Sequence, residues 1–209
     1  MSPLPDLSGG RYGFQMVSLR LPVFSCSLDP NSRSRVLAAR SVDLLRDAGH
    51  DATLVDLATA GLPSFDNDTV FDSPAYRELH GHISSADGVV LAFPVYNWAP
   101  AATVKSLIEA TGTTGDGEHT SAWFDKVVTF VCAAGLPHST MATGSLAQSL
   151  QLDFKCIVNP YTATFSERDW AAPDTLAADR HDRLRKTLLV HAELAALLRG
   201  RTYRSDWEV

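Results

Sequence analysis

Short apolar runs alternate along the chain with longer stretches in which hydrophobic residues have helical spacing. The apolar runs predict five strands, at residues 17–25, 53–57, 88–93, 127–134 and 154–158. After Ser32, apolar residues recur every three or four positions until Gly49, which is typical of an amphipathic helix. The same spacing predicts further helices that begin at Pro74 and near Val104, and that cover residues 146–152 and 173–198.

The order of these elements indicates the fold class. The runs at 88–93 and 127–134 are almost entirely apolar, as in central parallel strands that are covered on both faces. Strands alternate with helices without an internal repeat or a low-complexity linker, which predicts an α/β fold with one doubly wound, five-stranded parallel sheet and helices on both faces. We expect residues 14–200 to form this single domain, with an N-terminal arm at 1–13 and a C-terminal tail at 201–209.

Charge, the length of the apolar runs and the cysteine spacing disfavour several classes of protein. The 209 residues carry a net charge of −6 and no basic run interleaved with aromatic residues, which disfavours a nucleic-acid-binding protein. The apolar runs are too short to span a membrane, and the N-terminus lacks a secretory signal pattern. Cys26, Cys132 and Cys156 show no CxxC spacing, and an odd count leaves no complete disulfide set. We therefore expect a soluble, reduced, cytoplasmic protein without a nucleic-acid or membrane partner.

The candidate site lies in the loops that follow the first, third and fourth predicted strands, because ligands of doubly wound sheets bind outside the carboxyl ends of the strands. The first loop, Ser25-Cys-Ser-Leu-Asp-Pro-Asn-Ser-Arg-Ser-Arg35, places serine hydroxyls before a helix N-terminus, a combination that suits a phosphate monoester. The motifs GxxxxGK[ST] and GxGxxG are absent, which disfavours a nucleoside triphosphate or a dinucleotide pyrophosphate. From this loop alone, simple helix capping by Asn31 or Ser32 is an equal alternative.

The second loop combines aromatic surface with an amide. Pro94-Val-Tyr-Asn-Trp98 follows the central strand and offers stacking area and fixed hydrogen bonds to a flat heteroaromatic ring. The alternative is that Tyr96 and Trp98 cover the edge of the sheet or line a subunit contact.

Two motifs in this order resemble the NADPH-dependent FMN reductase family of flavodoxin-like proteins, which includes quinone, chromate and azo reductases. They are Ser27-x-x-x-x-Ser32-x-Ser34 and Pro94-Val-Tyr-Asn97 with Pro100-x-x-x-x-Lys105, and the similarity spans about residues 19–159. The resemblance implies a flavodoxin-like strand order of 2-1-3-4-5. It also implies an FMN-dependent oxidoreductase that takes hydride from NADPH or NADH, reduces a quinone-like, azo or other small electron acceptor, and forms a homodimer or homotetramer.

Position by position, the resemblance assigns two sets of cofactor-binding residues. The FMN phosphate would contact Ser27, Ser32, Arg33 and Ser34. The flavin ring would contact Pro94, Val95, Tyr96, Asn97 and Trp98, with backbone groups of Ala134 and Gly135 from the third loop near its pyrimidine edge. Because the cofactor carries the redox chemistry, no catalytic acid or base and no metal site is predicted. Tyr96 and His138 are candidate contacts for nicotinamide or acceptor.

Four residues differ from the usual motifs of the family. Cys26 stands in place of Gly, Asp29 in place of Arg and Val95 in place of Glu, while Trp98 adds bulk at the ring. At a separation of about 6 Å and an effective dielectric constant of about 20, two unit charges repel by roughly 3 kcal/mol, so an inward-pointing Asp29 would oppose a phosphate. These differences keep two alternatives open: a specialised biosynthetic flavoprotein with weakened or lost flavin binding, and a flavodoxin-type electron carrier.

The remaining chemistry-bearing residues are interpreted as structural. His80 and His82 lie two positions apart on a predicted helix, so their side chains diverge and do not favour a shared metal ion. No GxSxG pattern surrounds Ser139, which disfavours a hydrolase. The charged segment 179–186 is interpreted as a solvated helix face, and Cys132 and Cys156 as packed thiols.

Overall fold

The structure is a computed structural model that describes residues 17–113 and 120–199. Its strands are β1 (Arg20–Ser25), β2 (Asp51–Asp56), β3 (Gly88–Tyr96), β4 (Ala99–Pro100), β5 (Val127–Ala133), β6 (Ile157–Val158), β7 (Ala163–Phe165), β8 (Trp170–Ala172) and β9 (Thr175–Leu176). Its α-helices are α1 (Arg33–Asp47), α2 (Leu57–Ala60), α3 (Pro74–Ser84), α4 (Ala102–Gly112), α5 (Gly144–Phe154) and α6 (Ala178–Leu198). Three 3-10 helices cover Thr69–Asp72, Pro137–Thr143 and Glu167–Asp169.

The main sheet confirms the predicted fold class and strand order. Its parallel strands lie in the order β2-β1-β3-β5-β6, and β7 pairs with β5 beyond the end of β6. In terms of the five predicted strands, this order is second, first, third, fourth, fifth. The short strand β4 turns back and pairs antiparallel with the end of β3, and β8 and β9 form a separate hairpin.

The sheet is covered on both faces. Helices α1 and α6 pack on one face through residues such as Leu37 and Leu188, which share a core with Val23 of β1. Helices α3, α4 and α5 pack on the other face around the ring of Phe93. Side chains of successive strand residues point to opposite faces, so the apolar strands β3 and β5 supply both cores, as their sequences predicted.

Polar caps define where the helices start. The Ser32 side chain accepts a hydrogen bond from the Ser34 N–H at the start of α1, and Ser73 accepts from the Tyr76 N–H at the start of α3. Pro74 occupies the first turn of α3, where its missing N–H costs nothing. The predicted starts at Ser32 and Pro74 are therefore confirmed.

Two predicted elements near the end of the chain are wrong in their limits. Phe154, predicted to open the fifth strand, is the last residue of α5, and Lys155 then takes a left-handed conformation with φ 55°. The strand at this position is split into β6 and β7 by a turn in which the buried Asn159 accepts from the Tyr161 N–H. The predicted helix at 173–198 begins only at Ala178, because residues 167–176 form a 3-10 helix and the β8–β9 hairpin.

Within residues 17–113 and 120–199, no helix has both the length and the apolar character needed to cross a bilayer. The predicted arm at 1–13 and tail at 201–209 lie outside the described residues, so the domain limits remain predictions.

Candidate functional site

Three neighbouring strands end at the same edge of the sheet and bring the three predicted loops together. Ser25 of β1 lies beside Ala92 of β3, and Pro94 of β3 lies beside Ala133 of β5. The Cys26 N–H donates to the Ala92 carbonyl at 2.8 Å, which joins the first loop to β3. The strand β4 packs against the 3-10 helix Pro137–Thr143, which joins the second loop to the third.

The first loop concentrates buried hydroxyls at the N-terminus of α1. The Oγ atoms of Ser32 and Ser34 lie 2.8 Å apart, and the Ser34 N–H donates to Ser32 Oγ at 3.3 Å. Ser27 is also buried, and its Oγ accepts from the Asp29 N–H at 3.2 Å. The positive end of the α1 dipole and these hydroxyls favour an anion at this position.

Two further buried polar atoms of this region lack a hydrogen-bond partner among the described residues. They are Ser25 Oγ, at the end of β1, and Trp170 Nε1, whose ring lies under the Arg33 guanidinium. A buried donor without a partner costs free energy, so such an atom is expected to face a ligand or water. Of the two, the Trp170 ring lies beside Arg33 at the start of α1.

The arginines of the first loop are engaged within the protein. Arg33 pairs with Glu167 at 2.7 Å, and its guanidinium carbon lies 5.1 Å from the centre of the Trp170 ring. Arg35 forms a two-pronged ion pair with Asp56 at the end of β2. Arg35 therefore anchors α1 to the sheet, whereas Arg33 contacts Glu167 and the Trp170 ring.

Neither unusual residue of the first loop obstructs it. The Cys26 side chain is fully buried in the core, where its thiol lies 3.6 Å from the Phe24 carbonyl and burial raises its pKa far above the ordinary value. Asp29 is exposed, and its carboxylate accepts from the Asn31 N–H at 2.9 Å. An exposed carboxylate is screened by water, so the repulsion expected for an inward-pointing Asp29 does not apply at full strength.

The second loop is a two-residue hairpin turn between β3 and β4. Asn97 and Trp98 occupy its centre with φ values of 49° and 62°, as the primed turns of tight hairpins require. A left-handed conformation costs a residue other than glycine about 1–2 kcal/mol, which makes Trp98 a strained residue. The turn holds two aromatic side chains at the surface, with Tyr96 53% and Trp98 55% exposed.

The other predicted ring residues differ in accessibility. Pro94 is buried and Val95 is partly buried against the core, so they support the loop from below. The Ala134 N–H is committed to the Phe165 carbonyl at 2.8 Å, which leaves its own carbonyl for a ligand. Gly135 is exposed, and a Cβ built at this position would meet no atom within 4 Å. His138 is exposed on the same loop.

Several residues of this region were missed by sequence reasoning. Glu167 and Trp170 lie on a segment that the sequence left without an interpretation, although Ser166-x-x-Asp169 is a capping-box pattern that indicates a helical turn. Thr103, at the start of α4, donates to the Cys26 carbonyl at 2.6 Å and fixes the first loop. Lys105 instead forms a surface ion pair with Glu109 at 3.0 Å.

These residues fit a phosphorylated aromatic ligand such as FMN. Hydroxyl and N–H donors lie at the start of α1, which follows β1. Exposed aromatic rings lie at the end of the adjacent strand, β3. The hydrogen-bond donors and the aromatic surface therefore lie apart, as the phosphate and the flat ring do in such a ligand.

Comparisons with known proteins give a family and a fold. The model of the family described as NADPH-dependent FMN reductase matches residues 19–168. No curated protein matches the chain.

Solved structures share the fold at low identity. FerB, a flavoenzyme NAD(P)H:(acceptor) oxidoreductase from Paracoccus denitrificans, is 17% identical with a TM-score of 0.69 and is aligned over 86% of this chain and 98% of its own. RosB, with the bound intermediate 8-demethyl-8-formylriboflavin-5′-phosphate, is 16% identical with a TM-score of 0.69 over 90% and 83%. An NAD(P)H:quinone oxidoreductase from Methanothermobacter marburgensis is 17% identical with a TM-score of 0.60 over 85% and 100%.

Proposed function

The chain belongs to the NADPH-dependent FMN reductase family, and from that premise we propose that it binds FMN at the carboxyl edge of its sheet. In this proposal NADPH or NADH donates a hydride, and a quinone-like, azo or other small acceptor receives the electrons. Membership of this family makes the chain a flavin-dependent oxidoreductase.

The observation that supports the proposal most strongly is the hydroxyl pair of Ser32 and Ser34 at the start of a fifteen-residue helix. The pair is buried, its Oγ atoms lie 2.8 Å apart, and the helix dipole adds to the attraction for an anion. Helix capping alone requires one of these hydroxyls, since Ser32 already accepts the Ser34 N–H. Ser34 adds a second hydroxyl beside this cap, and in our proposal both hydroxyls turn to the phosphate.

In this proposal, residues of the three loops contact different parts of FMN. Ser27, Ser32 and Ser34 bind the phosphate, and Arg33 adds charge when it leaves Glu167. Tyr96 and Trp98 stack on the ring or its reaction partner, while Asn97 and Gly135 supply polar groups at its edge. FMN, when bound, supplies the ring that takes up the hydride and passes on two electrons.

A second candidate is a specialised biosynthetic flavoprotein in which a flavin phosphate is the substrate. It is favoured by one observation, the ion pair of Arg33 with Glu167, which withdraws a cation from the phosphate loop. RosB, of similar fold, is described with a riboflavin-5′-phosphate derivative bound as an intermediate. In this candidate function FMN would be chemically changed, whereas a cofactor is regenerated.

The experiment that tests the proposal begins with the absorption spectrum of freshly purified protein and mass spectrometry of any bound cofactor. We expect unmodified FMN, and oxidation of NADPH or NADH that depends on an added quinone or azo dye. A protein that stays colourless and takes up no added FMN would contradict the proposal. Bound FMN without turnover would indicate an electron carrier, and conversion of FMN to a new flavin would indicate the biosynthetic function.

We also propose that the chain forms a homodimer or homotetramer, with support from the family resemblance alone. Light scattering on the purified protein tests it, and a monomer at micromolar concentration would contradict it.

A further inference from the structure

A cavity of about 380 Å³ lies beside the third loop, between the end of β7 and the start of α6. Three arginines line it, Arg168, Arg180 and Arg183, together with the hydroxyl-bearing residues Thr140 and Thr164. Its position is set by the sheet, because β7 is the neighbour of β5 and Phe165 lies beside Ala133 at the same edge as the candidate flavin site. The 3-10 helix Pro137–Thr143 contributes to the cavity and also contacts β4 of the second loop.

The carboxylate that lines this cavity is already satisfied by its neighbours. Asp169 Oδ2 accepts from the Ser166 N–H at 2.6 Å and from Ser166 Oγ at 2.8 Å, and its Oδ1 accepts from Arg180 Nε at 2.7 Å. Burial alone would raise the pKa of Asp169, but these hydrogen bonds and the charges of Arg180 and Arg183 hold it below the usual range. The opposite charges of Asp169 and Arg180 therefore neutralise each other, and both residues form part of the cavity wall.

The other two arginines leave the cavity with positive charge. Arg168 and Arg183 are exposed and form no ion pair with a carboxylate in the described chain, and Arg183 donates to the Thr162 carbonyl at 3.5 Å. Two guanidinium groups on separate elements, a 3-10 helix and α6, converge on one space. Such an arrangement favours an anion with several acceptor oxygens, since guanidinium groups bind phosphate oxygens in pairs.

A buried threonine also borders the cavity. Thr164 is 6% exposed, and its Oγ1 has no nitrogen or oxygen partner among the described residues, with the Cys132 thiol as its polar neighbour. Thr164 is one of the residues that line the cavity, so a ligand there would lie beside this side chain.

We propose that this cavity binds the 2′-phosphate and adjoining ribose of NADPH, an inference that rests on the proposed function. In this proposal the 2′-phosphate, a phosphate monoester, binds Arg168 and Arg183, and Thr164 contacts the ligand through its hydroxyl. The volume lies at the lower end of small-ligand sites, so it suits one end of a dinucleotide and leaves the nicotinamide to reach the second loop. NADH lacks the 2′-phosphate, so the cavity would determine preference between the two donors.

The test compares the double variant Arg168→Gln/Arg183→Gln with the control Arg40→Gln/Arg77→Gln, which removes the same charge from exposed positions on α1 and α3. Titration calorimetry uses 2′,5′-ADP (adenosine 2′,5′-bisphosphate) and 5′-AMP as probes, because they differ only by the 2′-phosphate. We expect the cavity variant to bind 2′,5′-ADP at least about tenfold more weakly, because two charge-assisted contacts to the 2′-phosphate are lost, and to change the affinity for 5′-AMP by less than about twofold. The control should leave both unchanged.

Steady-state kinetics and flavin binding separate this inference from the proposed function. With FMN-loaded protein, KM for NADPH should rise at least about tenfold in the cavity variant, while KM for NADH and the FMN dissociation constant change by less than about twofold. Equal effects on the two probes, or on the two donors, would overturn the 2′-phosphate assignment. A wild-type protein that binds 2′,5′-ADP but not FMN would contradict the proposed function alone, and one that turns over NADPH without binding 2′,5′-ADP would contradict this inference alone.

Discussion

Ser32 and Ser34 are the residues through which the first loop would recognise phosphate, and they can be tested directly. Each hydroxyl that bonds a charged group contributes about 1.5–3 kcal/mol, so Ser32→Ala with Ser34→Ala should weaken FMN by about 3 kcal/mol or more. Riboflavin lacks the phosphate, so its affinity should barely change. Fluorescence titration with both flavins measures the difference.

The control for this prediction has to separate ligand binding from folding, because Ser32 is also the N-cap of α1. Loss of an N-cap costs about 1 kcal/mol of folding stability, which urea denaturation of the variant without flavin would report. A matched pair, Ser84→Ala with Ser85→Ala at the exposed end of α3, should leave both flavin affinities unchanged. Equal weakening of FMN and riboflavin would show that the loop does not bind the phosphate.

The Arg33–Glu167 ion pair leads to a second prediction at the residue scale. Glu167 holds the Arg33 guanidinium at 2.7 Å, so Glu167→Gln should release it and tighten FMN binding severalfold. Arg33→Gln should weaken FMN by a similar factor, because an exposed or half-exposed ion pair contributes about 1 kcal/mol or less. Competitive FMN titrations of both variants measure the effects.

Opposite signs for these two variants are what distinguishes a shared arginine from a structural one. If Glu167→Gln and Arg33→Gln both weakened FMN, or neither changed it, Arg33 would serve only to attach the segment 167–170 to α1. Riboflavin again serves as the control ligand, since neither variant should change its affinity.

The sequence predicted the residues of the first loop but not their partners. Hydroxyls that precede a helix act over a few positions, so the loop itself indicates a helix cap or a phosphate site, and the family resemblance assigns Ser27, Ser32 and Ser34 to the phosphate. Glu167 and Trp170 reach Arg33 only because the chain, after β7, returns across the top of α1. That contact depends on tertiary structure, for which the local pattern holds no signal.

Among the elements, the β3–β4 hairpin stores backbone strain under an exposed aromatic ring. Trp98 has φ 62°, a conformation that glycine adopts readily. Trp98→Gly and Trp98→Ala both remove the ring, but only glycine also relieves the strain. We expect the glycine variant to be more stable to urea than the alanine variant by about 1 kcal/mol.

Flavin affinity completes this prediction. Loss of an aromatic contact with a flat ring costs about 0.5–1.5 kcal/mol beyond the lost surface, so both variants should bind FMN more weakly, and by the same factor. This result would show that the strain is retained for the position of the ring. Unchanged affinity in both variants would instead indicate that Trp98 lies outside the flavin site.

The ends of helices and strands were predicted well where a capping residue marks them in the sequence. They were predicted poorly where the tertiary contacts of one side chain determine them. The starts of α1 and α3 follow from serine caps, and both are confirmed. The split of the fifth strand depends on Asn159, whose buried side chain bonds to Thr129 and to the Thr187 carbonyl and draws the chain out of the sheet. Pro173 was assigned to a helix start, a position that prolines favour, but it lies in the connection between β8 and β9.

At the scale of the whole molecule, alternation of strands and helices was sufficient for the fold class, and the resemblance supplied the strand order. The charged segment 179–186 was interpreted only in part. Its residues Asp182 and Lys186 are exposed, as a solvated face requires, but Arg180 and Arg183 also line the cavity beside β7. Whether a charged face of α6 borders a cavity depends on the packing of the segment 164–169, which the sequence pattern does not report.

A buried histidine links α6 to the middle of the sheet and makes the fold sensitive to acid. Thr129 Oγ1 accepts from the Asn159 side-chain amide at 3.0 Å and is hydrogen-bonded to His191 Nδ1 at 2.9 Å. The ring also packs on Gly88, where an added Cβ would come within 2.7 Å of it. No space remains in this contact for the water that a charged imidazole would need.

The pH dependence of stability follows from this burial. Burial lowers the pKa of His191 to about 3, with a smaller contribution from the charge of His50. Because the folded pKa lies below the unfolded value of about 6.5, the stability contributed by the neutral ring is complete above that pH and is lost as the pH falls towards 3. Wild-type protein should lose about 1 kcal/mol per pH unit through this residue between pH 6 and pH 4.

Urea denaturation at several pH values of His191→Asn, with His181→Asn on the same helix as the matched control, isolates this contribution. The His191 variant should be less stable at pH 7, because it loses a packed ring, but its stability should fall less steeply with acid. The His181 variant should keep the wild-type slope, since His181 is only partly buried near the start of α6. Equal slopes in all three proteins would mean that His191 is already accommodated as a charged group, and that the acid sensitivity of the fold arises from its carboxylates.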